Sequence, residues 1–141
     1  MAARRPRVLA YVTRTSEGRT ELLVFDQHGD PGAGTQVPAG RLDPGESLEE
    51  GLRRELHEEA GLERILIVRE LPVLGDWAER SEYDNHAFEV RVDGEEPPNT
   101  WEHVVHGDGD DAGLVFLYRW ESVQGGIDLW GGLDPTYTQL A

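Results

Sequence analysis

The sequence contains neither cysteine nor lysine, and each absence excludes a familiar kind of chemistry. With no Cys in the chain, disulfide frameworks, cysteine zinc sites and thiolate nucleophiles are impossible. All 13 basic residues are arginine, so no lysine is present for a P-loop or for a Schiff base. Two large classes of enzyme are therefore excluded.

Positive charge is scarce as well. The 13 basic residues face 28 acidic ones, which gives a formal net charge of -15. Such a field opposes nonspecific adhesion to nucleic-acid backbones and to anionic membrane surfaces. The acidic excess has a simple interpretation as an aid to solubility. If the substrate is itself an anion, however, some local feature must attract it.

Long apolar runs are also missing. No segment approaches the length of a membrane span, and the apolar residues 8–12 form too short a run for an export signal. A chain of 141 residues that is 38% hydrophobic is long enough for one hydrophobic core. We therefore expect a single domain over residues 1–141, in the cytoplasm and not on a membrane.

Short segments rich in β-branched and aromatic residues, separated by turns, predict a mixed α/β domain. The predicted strands are residues 8–13, 21–25, 36–38, 65–74, 86–92 and 114–120, with a further possible strand at residues 101–105. The turn-like residues 16–18 predict a hairpin between the first two strands. The tail, residues 124–141, is glycine-rich with scattered aromatic residues and receives no assignment.

The clearest predicted element is a helix between Ser47 and Gly61. Ser47 followed by Glu50 fits a capping box, and Gly61 stands where a C-terminal cap belongs. Between them an apolar residue recurs at every fourth position: Leu48, Leu52, Leu56 and Ala60.

Three glutamates of this helix, Glu55, Glu58 and Glu59, share one surface because they are spaced by three and four residues. Like charges at this spacing cost roughly 0.2–0.5 kcal/mol for each pair. The arrangement becomes favourable if a hard cation such as Mg²⁺ binds there, since Mg²⁺ prefers oxygen ligands and keeps waters and phosphates as further ligands. The alternative is a solvated acidic surface that Arg53 and Arg54 partly neutralise.

The wider spacing favours the metal-binding interpretation. The chain matches every fixed position of the Nudix box: Gly40, five residues, Glu46, seven residues, then Arg54-Glu55-Leu56-His57-Glu58-Glu59-Ala60-Gly61-Leu62. Over residues 40–62 it therefore resembles the Nudix hydrolase family. The resemblance implies an α/β/α sandwich with a mixed β-sheet. It also implies a hydrolase that cleaves a pyrophosphate bond in a nucleoside diphosphate linked to another moiety.

The resemblance further implies roles for five residues of the box. Glu58 and Glu59 would be ligands of Mg²⁺ or Mn²⁺, and Glu55 would be a third ligand or the general base. Arg54 would orient these carboxylates, and Gly40 would offer a backbone carbonyl to a metal.

The general base also has candidates outside the box, because members of the family draw it from different places. These candidates are four acids of the later chain: Glu102, Asp108, Asp110 and Asp111. Each has a simpler interpretation as a solvated loop acid. Three histidines are not expected to take part, since His57 is predicted on the surface and His103 and His106, read as ordinary polar residues, lack the companions of a metalloprotease motif.

Glu46 precedes the helix cap and is expected to pair with Arg54 rather than to act in catalysis. Three aromatic side chains have the flat rings that stack on a nucleobase, with burial in the core as the simpler alternative. They are Trp77, Tyr83 and Trp101.

The substrate is the least determined feature. Similar subfamilies are told apart by residues downstream of the box, and residues 77–80 carry neither the proline typical of ADP-ribose hydrolysis nor the tyrosine typical of dinucleoside polyphosphate hydrolysis. Nucleoside triphosphates are the slightly preferred expectation, and an RNA end is the one nucleic-acid substrate retained. The alternative function is a non-catalytic Nudix-fold module that senses a nucleotide or a protein partner. A homodimer is possible, and the oligomeric state is left open.

Overall fold

A seven-stranded mixed sheet forms the centre of the computed structural model, which describes residues 4–107 and 109–140. The strands are β1 (Arg5–Ser16), β2 (Arg19–Gln27), β3 (Ala39–Arg41), β4 (Ile65–Leu71), β5 (Tyr83–Val92), β6 (Thr100–Val104) and β7 (Val115–Ser122). Their order is β4-β5-β1-β2-β7-β6, with β3 paired to β1. β1 and β5 run parallel and the other pairs are antiparallel. The predicted mixed α/β fold is confirmed.

β1 and β2 form the predicted hairpin. Ser16 pairs with Arg19, so Glu17 and Gly18 make a two-residue turn. Both have positive φ, at 52° and 76°, as in the turn whose twist matches that of the flanking strands. Both strands extend beyond the apolar residues that predicted them, because their polar ends also hydrogen-bond to neighbouring strands.

The short strand predicted at residues 36–38 is displaced. Gln36 makes an isolated bridge to β2, and the strand follows it as β3. Pro38 has no N–H to donate to a ladder, so it contributes its carbonyl, which accepts a hydrogen bond from β1 at 2.8 Å. In the resulting register Gly40 lies opposite Val8.

The predicted helix is α1 (Leu48–Ala60). The Ser47 side chain accepts from the Glu50 amide, and the Glu50 carboxylate accepts from the Ser47 amide, so the capping box is complete. Gly61 ends the helix with a φ of 74°, a left-handed conformation that favours glycine. The apolar face that α1 buries consists of Leu52, Leu56 and Ala60.

The two faces of the sheet carry separate cores, because side chains alternate along each strand. On β1, Val8 and Val12 pack beneath α1, whereas Leu9 and Tyr11 pack on the opposite face. That face is covered by α2 (Asp76–Arg80), by α3 (Asp134–Tyr137) and by the 3-10 turns Val123–Gly125, Trp130–Gly132 and Thr138–Leu140. The second helical layer of the predicted sandwich is therefore built from short helices and turns.

The tail that received no assignment completes this second core. Five of its apolar side chains are buried there: Ile127, Leu129, Leu133, Tyr137 and Leu140. The Tyr11 hydroxyl donates to the Leu133 carbonyl at 3.0 Å and fixes the tail to β1. Within the described ranges, no helix has the length and apolar character needed to cross a membrane.

Candidate active site

Arg54 is the centre of a hydrogen-bonded network on α1. Its Nε and Nη2 donate to the two oxygens of Glu46 at 2.8 and 2.9 Å. Its Nη1 donates to Glu55 at 2.9 Å and to Glu58 at 3.1 Å, while Nη2 also reaches the Arg41 carbonyl at 2.9 Å. The predicted pairing of Glu46 with Arg54 is thus present, and the same guanidinium orients two further carboxylates.

Glu46 anchors this network as an anion at neutral pH. The hydrogen bond from Arg54 lowers the pKa of Glu46, and a hydrogen bond from the Asp43 amide at 2.9 Å acts in the same direction. In return, the hydrogen bond to Glu46 is the main reason why the pKa of Arg54 is raised. Arg54 therefore stays charged and remains directed at Glu55 and Glu58.

Glu59 is the most deeply buried of the three helix acids, with 5% of its surface exposed. Its Oε1 accepts a long hydrogen bond of 3.4 Å from the Ala39 amide. None of the ion pairs formed within the described residues includes Glu59. Burial, and secondly a hydrogen bond with Glu55, raise the pKa of Glu59 well above its ordinary value. The charge of this carboxylate is therefore poorly compensated by the protein.

Glu58 shows the same effect more weakly. Burial raises its pKa, against the opposing effect of the Arg54 charge. Glu58 and Glu59 thus share a shortage of positive charge, which a cation bound beside them would relieve.

Two glycines allow backbone to pass close to these acids. A Cβ at Gly40 would collide with the Glu55 carboxylate, and a Cβ at Gly107 would lie 2.8 Å from the Glu58 Cδ. Gly107 also has a φ of 98°. Gly40 is therefore required on steric grounds, whatever its carbonyl binds. Gly107 was not predicted as a site residue, because a single glycine in an acidic loop is a weak indication of a functional position.

The end of β6 supports the last turn of α1. His103 Nε2 lies 2.9 Å from the Glu58 carbonyl oxygen, and the His106 amide donates to the same oxygen at 2.9 Å. Carbonyls in the last turn of a helix lack intrahelical partners, so both residues cap α1 at Glu58. His103 and His106 thus have a structural role beyond that of ordinary polar residues. His57 is exposed, as predicted.

The helix acids open onto a cavity of about 390 Å³ between α1, β3 and the loop that follows β6. Its lining brings together all of the residues for which the Nudix box implied a role in catalysis or metal binding: Gly40, Arg54, Glu55, Glu58 and Glu59. One cavity thus collects residues from a helix and a separate strand.

The acids proposed outside the box divide into three groups. Asp110 and Asp111 line the same cavity. Glu102 lies on β6 and is not part of the lining. Asp108 falls outside the described residues. The loop after β6 therefore offers two acids as candidates for the general base.

The opposite side of the cavity is basic and was not predicted. Arg5 and Arg7 of β1, Arg41 of β3 and Tyr83 of β5 line it. In the parallel ladder Arg5 lies opposite Tyr83, and Arg7 lies opposite Asn85. The only sequence signal was a pair of arginines at alternate positions, which by itself does not point to a site.

The three candidate stacking residues also differ in their positions. Trp101 stacks on Tyr118 with ring centroids 4.9 Å apart, and its Nε1 donates to the Ala60 carbonyl at 3.1 Å. Trp77 packs against the core beneath the tail. Both serve the interior of the protein, and Tyr83 is the member of the three that faces the cavity.

A wider groove of about 650 Å³ lies at the C-terminal end of α1, away from the helix acids. Trp101, His103 and Arg64 contribute to its lining together with several acids of the neighbouring loops. Because it contains none of the three clustered glutamates, we assign the site to the smaller cavity.

Comparisons with known proteins agree with the sequence motif. The family model described as NUDIX domain matches residues 3–125. The RNA pyrophosphohydrolase of a Nitratiruptor species is 37% identical over 68 residues, which cover 48% of this chain and 44% of that protein. The chain thus matches less than half the length of this relative.

Solved structures share the fold. A UDP-X diphosphatase superposes with a TM-score of 0.68 at 14% identity, covering 99% of this chain and 62% of that one. The C. elegans Ap4A hydrolase superposes with a TM-score of 0.64 at 17% identity, covering 98% of both chains. At these identities the likeness concerns the architecture, and it confirms the predicted fold.

Proposed function

The chain belongs to the Nudix family, since the NUDIX domain model matches residues 3–125, and on this premise we propose that it is a metal-dependent hydrolase of pyrophosphate bonds. The proposed substrate is a nucleoside diphosphate linked to another moiety. The observation that carries the proposal is the meeting of Glu55, Glu58 and Glu59 with Arg54 in one cavity. Three acids are held there against their mutual repulsion.

The side chains of the cavity suit a hard divalent cation. Oxygen donors surround the space, and Glu59 is a buried carboxylate without an ion-pair partner in the described ranges. We propose that Glu58 and Glu59 hold Mg²⁺ or Mn²⁺, with Glu55 as a third ligand or the general base and the Gly40 carbonyl as a further ligand. When bound, the cation would neutralise phosphate charge and acidify a water molecule.

No three acidic or histidine side chains within residues 4–107 and 109–140 already converge on one point suitable for a metal. This is compatible with the proposal, because Mg²⁺ commonly takes one or two carboxylates and completes its shell with waters and substrate phosphates. Arg54 meanwhile holds Glu55 and Glu58 by hydrogen bonds. These hydrogen bonds thus hold two of the proposed site carboxylates, Glu55 and Glu58, in an ordered arrangement.

In the proposed reaction a water molecule adds to one phosphorus atom. The bridging P–O bond breaks, and the leaving phosphate keeps the bonding electron pair. The proton of the attacking water passes to a carboxylate, for which Glu55 is one candidate and Asp110 and Asp111 of the facing loop are the others. Arg54 contributes by fixing the direction of the Glu55 side chain.

For the identity of the substrate, we propose a nucleoside triphosphate first and a triphosphorylated RNA end second. The RNA end is supported by the name of the Nitratiruptor relative. An RNA end presents the same run of phosphates, while the rest of the polymer remains outside a protein whose net charge is -15.

A hydrolysis assay with a Glu58→Gln variant tests the proposal. Wild-type protein and variant are incubated with Mg²⁺, and separately with Mn²⁺, over a panel of nucleoside triphosphates, ADP-ribose, nucleotide sugars, dinucleoside polyphosphates and triphosphorylated RNA. We expect Glu58→Gln to lower turnover about a thousandfold, because a charge that acts on the transition state is removed.

Glu49→Gln is the matched control. Glu49 lies on the same helix, is exposed, and pairs with Arg53 rather than facing the cavity. Its turnover should equal that of the wild type. Equal turnover in Glu58→Gln, or tight nucleotide binding without any metal-dependent turnover by the wild type, would contradict the proposed function.

A further inference from the structure

Arg7 is a half-buried guanidinium that its neighbours hold in one orientation. Its Nε donates to Asn85 Oδ1 at 2.7 Å, and its Cζ lies 4.8 Å from the centre of the Tyr83 ring. Asn85 is fixed in turn, since its Nδ2 donates to Ser81 Oγ at 3.0 Å and to the Tyr83 carbonyl at 3.2 Å. We name these four residues, Arg7, Ser81, Tyr83 and Asn85, the Arg7 clamp.

The charge of Arg7 has no acidic partner among the residues that the structure describes. Other half-buried arginines differ in this respect: Arg14 binds Glu21, and Arg54 binds Glu46. Burial lowers the pKa of Arg7, which reflects the cost of removing a cation from water without a counterion. In a chain of net charge -15, an arginine that forms no ion pair with the described residues is available to an anion from outside.

Arg7 is connected to the helix acids across the short strand β3. In the ladder between β1 and β3, Arg7 is opposite Arg41 and Val8 is opposite Gly40, and Gly40 packs directly against the Glu55 carboxylate. Side chains alternate along a strand, so Val8 faces α1 whereas Arg7 shares the opposite face of the sheet with Leu9 and Tyr11. Arg7 and the acids also line the same cavity. A ligand that extends from the acids across β3 through this shared cavity therefore reaches the cation.

We propose that Arg7 binds the phosphate group adjacent to the scissile pyrophosphate, so that the cavity prefers substrates with three or more consecutive phosphates over substrates with two. This inference rests on the proposed function and makes its substrate class specific.

The chemistry of the guanidinium supports this choice of ligand. The Nε of Arg7 is engaged by Asn85, and its two Nη atoms have no hydrogen-bond partner within the described residues. Paired N–H donors on a planar cation match two oxygens of one phosphate. A sugar hydroxyl would supply no counter-charge. Arg5, two residues earlier on β1, lines the same side of the cavity and adds positive charge.

Asn85 is a positioning residue in this account. It contacts the guanidinium rather than the substrate, and it sets which edge of Arg7 faces the cavity. Tyr83 supports the plane of the guanidinium from one side. Loss of Asn85 should therefore weaken substrate binding while the chemical step remains intact.

The test compares ATP with ADP-ribose, since both carry adenosine but they differ in the number of phosphates. We expect Arg7→Gln to lower the ratio of kcat/KM for ATP to that for ADP-ribose at least about tenfold, the effect of losing a charge-assisted hydrogen bond. Arg7→Lys should give an intermediate ratio, because it keeps the charge and loses the paired donors. Arg19→Gln is the control for net charge, since Arg19 lies at the exposed hairpin, and its ratio should equal that of the wild type.

The role of Asn85 is tested separately. Asn85→Ala should raise KM for ATP several-fold with little change in kcat, and Asn85→Asp should not restore KM, because a carboxylate at this position would pair with Arg7 and neutralise the charge that binds phosphate. A fall in kcat with unchanged KM would contradict positioning through Arg7.

Two outcomes would overturn the proposal for Arg7. An equal loss of kcat/KM for ATP and for ADP-ribose would mean that Arg7 does not bind the additional phosphate. A loss of kcat/KM for ATP but not for UTP would mean that Arg7 contacts the base. If Arg7→Gln fails to give the wild-type circular dichroism spectrum and melting curve, Arg7→Lys decides, and an unchanged ratio in that variant contradicts the inference.

A binding measurement separates this inference from the proposed function. Calorimetry with inorganic tripolyphosphate and Mg²⁺ requires no turnover and no nucleoside. If the wild type binds tripolyphosphate at least about tenfold more tightly than Arg7→Gln does, the clamp is supported even where hydrolysis is absent. Equal affinities would overturn the clamp while leaving hydrolysis by the helix acids untouched.

Discussion

The two sides of the cavity are built in different ways. The acidic side comes from one turn of α1, where Glu55, Glu58 and Glu59 lie within five residues of sequence. The basic side depends on a contact between β1 and β5, in which Arg7 binds a residue 78 positions later. Helix geometry alone brings the acids together, whereas the Arg7 clamp exists only once the parallel strands have paired.

The two sides of the cavity also have separate roles in the proposed function. In our proposal the residues of the acidic side act in bond cleavage, and those of the basic side determine which substrate is preferred. Changes on the acidic side should therefore affect every substrate alike, and changes at Arg7 should affect them unequally.

The largest of the following effects is expected for Gly40→Ala. The new Cβ would collide with the Glu55 carboxylate and displace it. Misplacement of a reacting group by about 1 Å costs roughly a hundredfold in rate, and forcing extra volume into a packed site costs about 1–3 kcal/mol of stability. Turnover of all substrates and the free energy of unfolding in urea are the measurements.

Gly109→Ala provides the matched control for that change. Gly109 lines the same cavity, but nothing lies within 4 Å of a Cβ placed there. Its turnover should stay close to that of the wild type. If both alanine variants behaved alike, close approach of Gly40 to Glu55 would not be what the site requires.

A smaller effect is expected for Glu46→Gln. The variant loses the charge that anchors Arg54, so Arg54 should hold Glu55 and Glu58 less firmly, and turnover should fall about tenfold, as for other supporting residues of metal sites. The folded-state pKa of Glu46 is lowered, mainly by Arg54. Its contribution to stability is therefore present above the unfolded pKa of about 4.3 and is lost as the pH falls through the folded pKa.

Thermal melts at several pH values check this prediction for Glu46. The wild type should melt at a higher temperature than Glu46→Gln near neutral pH, and the two curves should approach each other in acid. A gap that stayed constant across the range would show that charge is not the source of the effect.

The smallest effect concerns the stability of metal-free Glu59→Gln. Burial and Glu55 raise the pKa of Glu59, so the folded protein retains a proton that the unfolded chain releases. Stability from this group is present below the unfolded pKa of about 4.3 and falls as the pH rises through the folded pKa. A glutamine at this position stays neutral, so the variant does not lose this stability as the pH rises. It should melt about 3 °C higher than the wild type at neutral pH, which corresponds to roughly 1 kcal/mol in the free energy of unfolding for a chain of this size.

Scanning calorimetry in the presence of a chelator measures this difference. The advantage of Glu59→Gln should grow as the pH rises from about 4 and should disappear in acid. A variant that melted below the wild type at neutral pH would indicate that the Glu59 charge is compensated within the protein.

The elements that the sequence predicted share a local cause. The helix, its capping box and its glycine stop are determined by residues next to one another, and the Nudix box places its acids within that same helix. The hairpin turn at Glu17 and Gly18 is also a local feature. Each of these was found without knowledge of the remaining chain.

The features that escaped prediction depend on contacts between distant segments. The tail buries Leu129, Leu133, Tyr137 and Leu140, whose spacing of four, four and three residues is that of one helical face. Glycine and proline interrupt this pattern, and the segment folds into 3-10 turns and one short helix against the second core. The caps supplied by His103 and His106 reach α1 across 45 residues or more. A single sequence contains no local signal for contacts of this kind, and the basic side of the cavity belongs to the same group.

The most direct test of the central claim is the turnover of one nucleoside triphosphate by chelated wild-type protein, followed as Mg²⁺ or Mn²⁺ is added back. We predict no hydrolysis before the metal is added and saturable hydrolysis after it, with Glu58→Gln remaining inactive throughout. Full turnover in the continued presence of chelator would show that the three carboxylates do not act through a divalent cation.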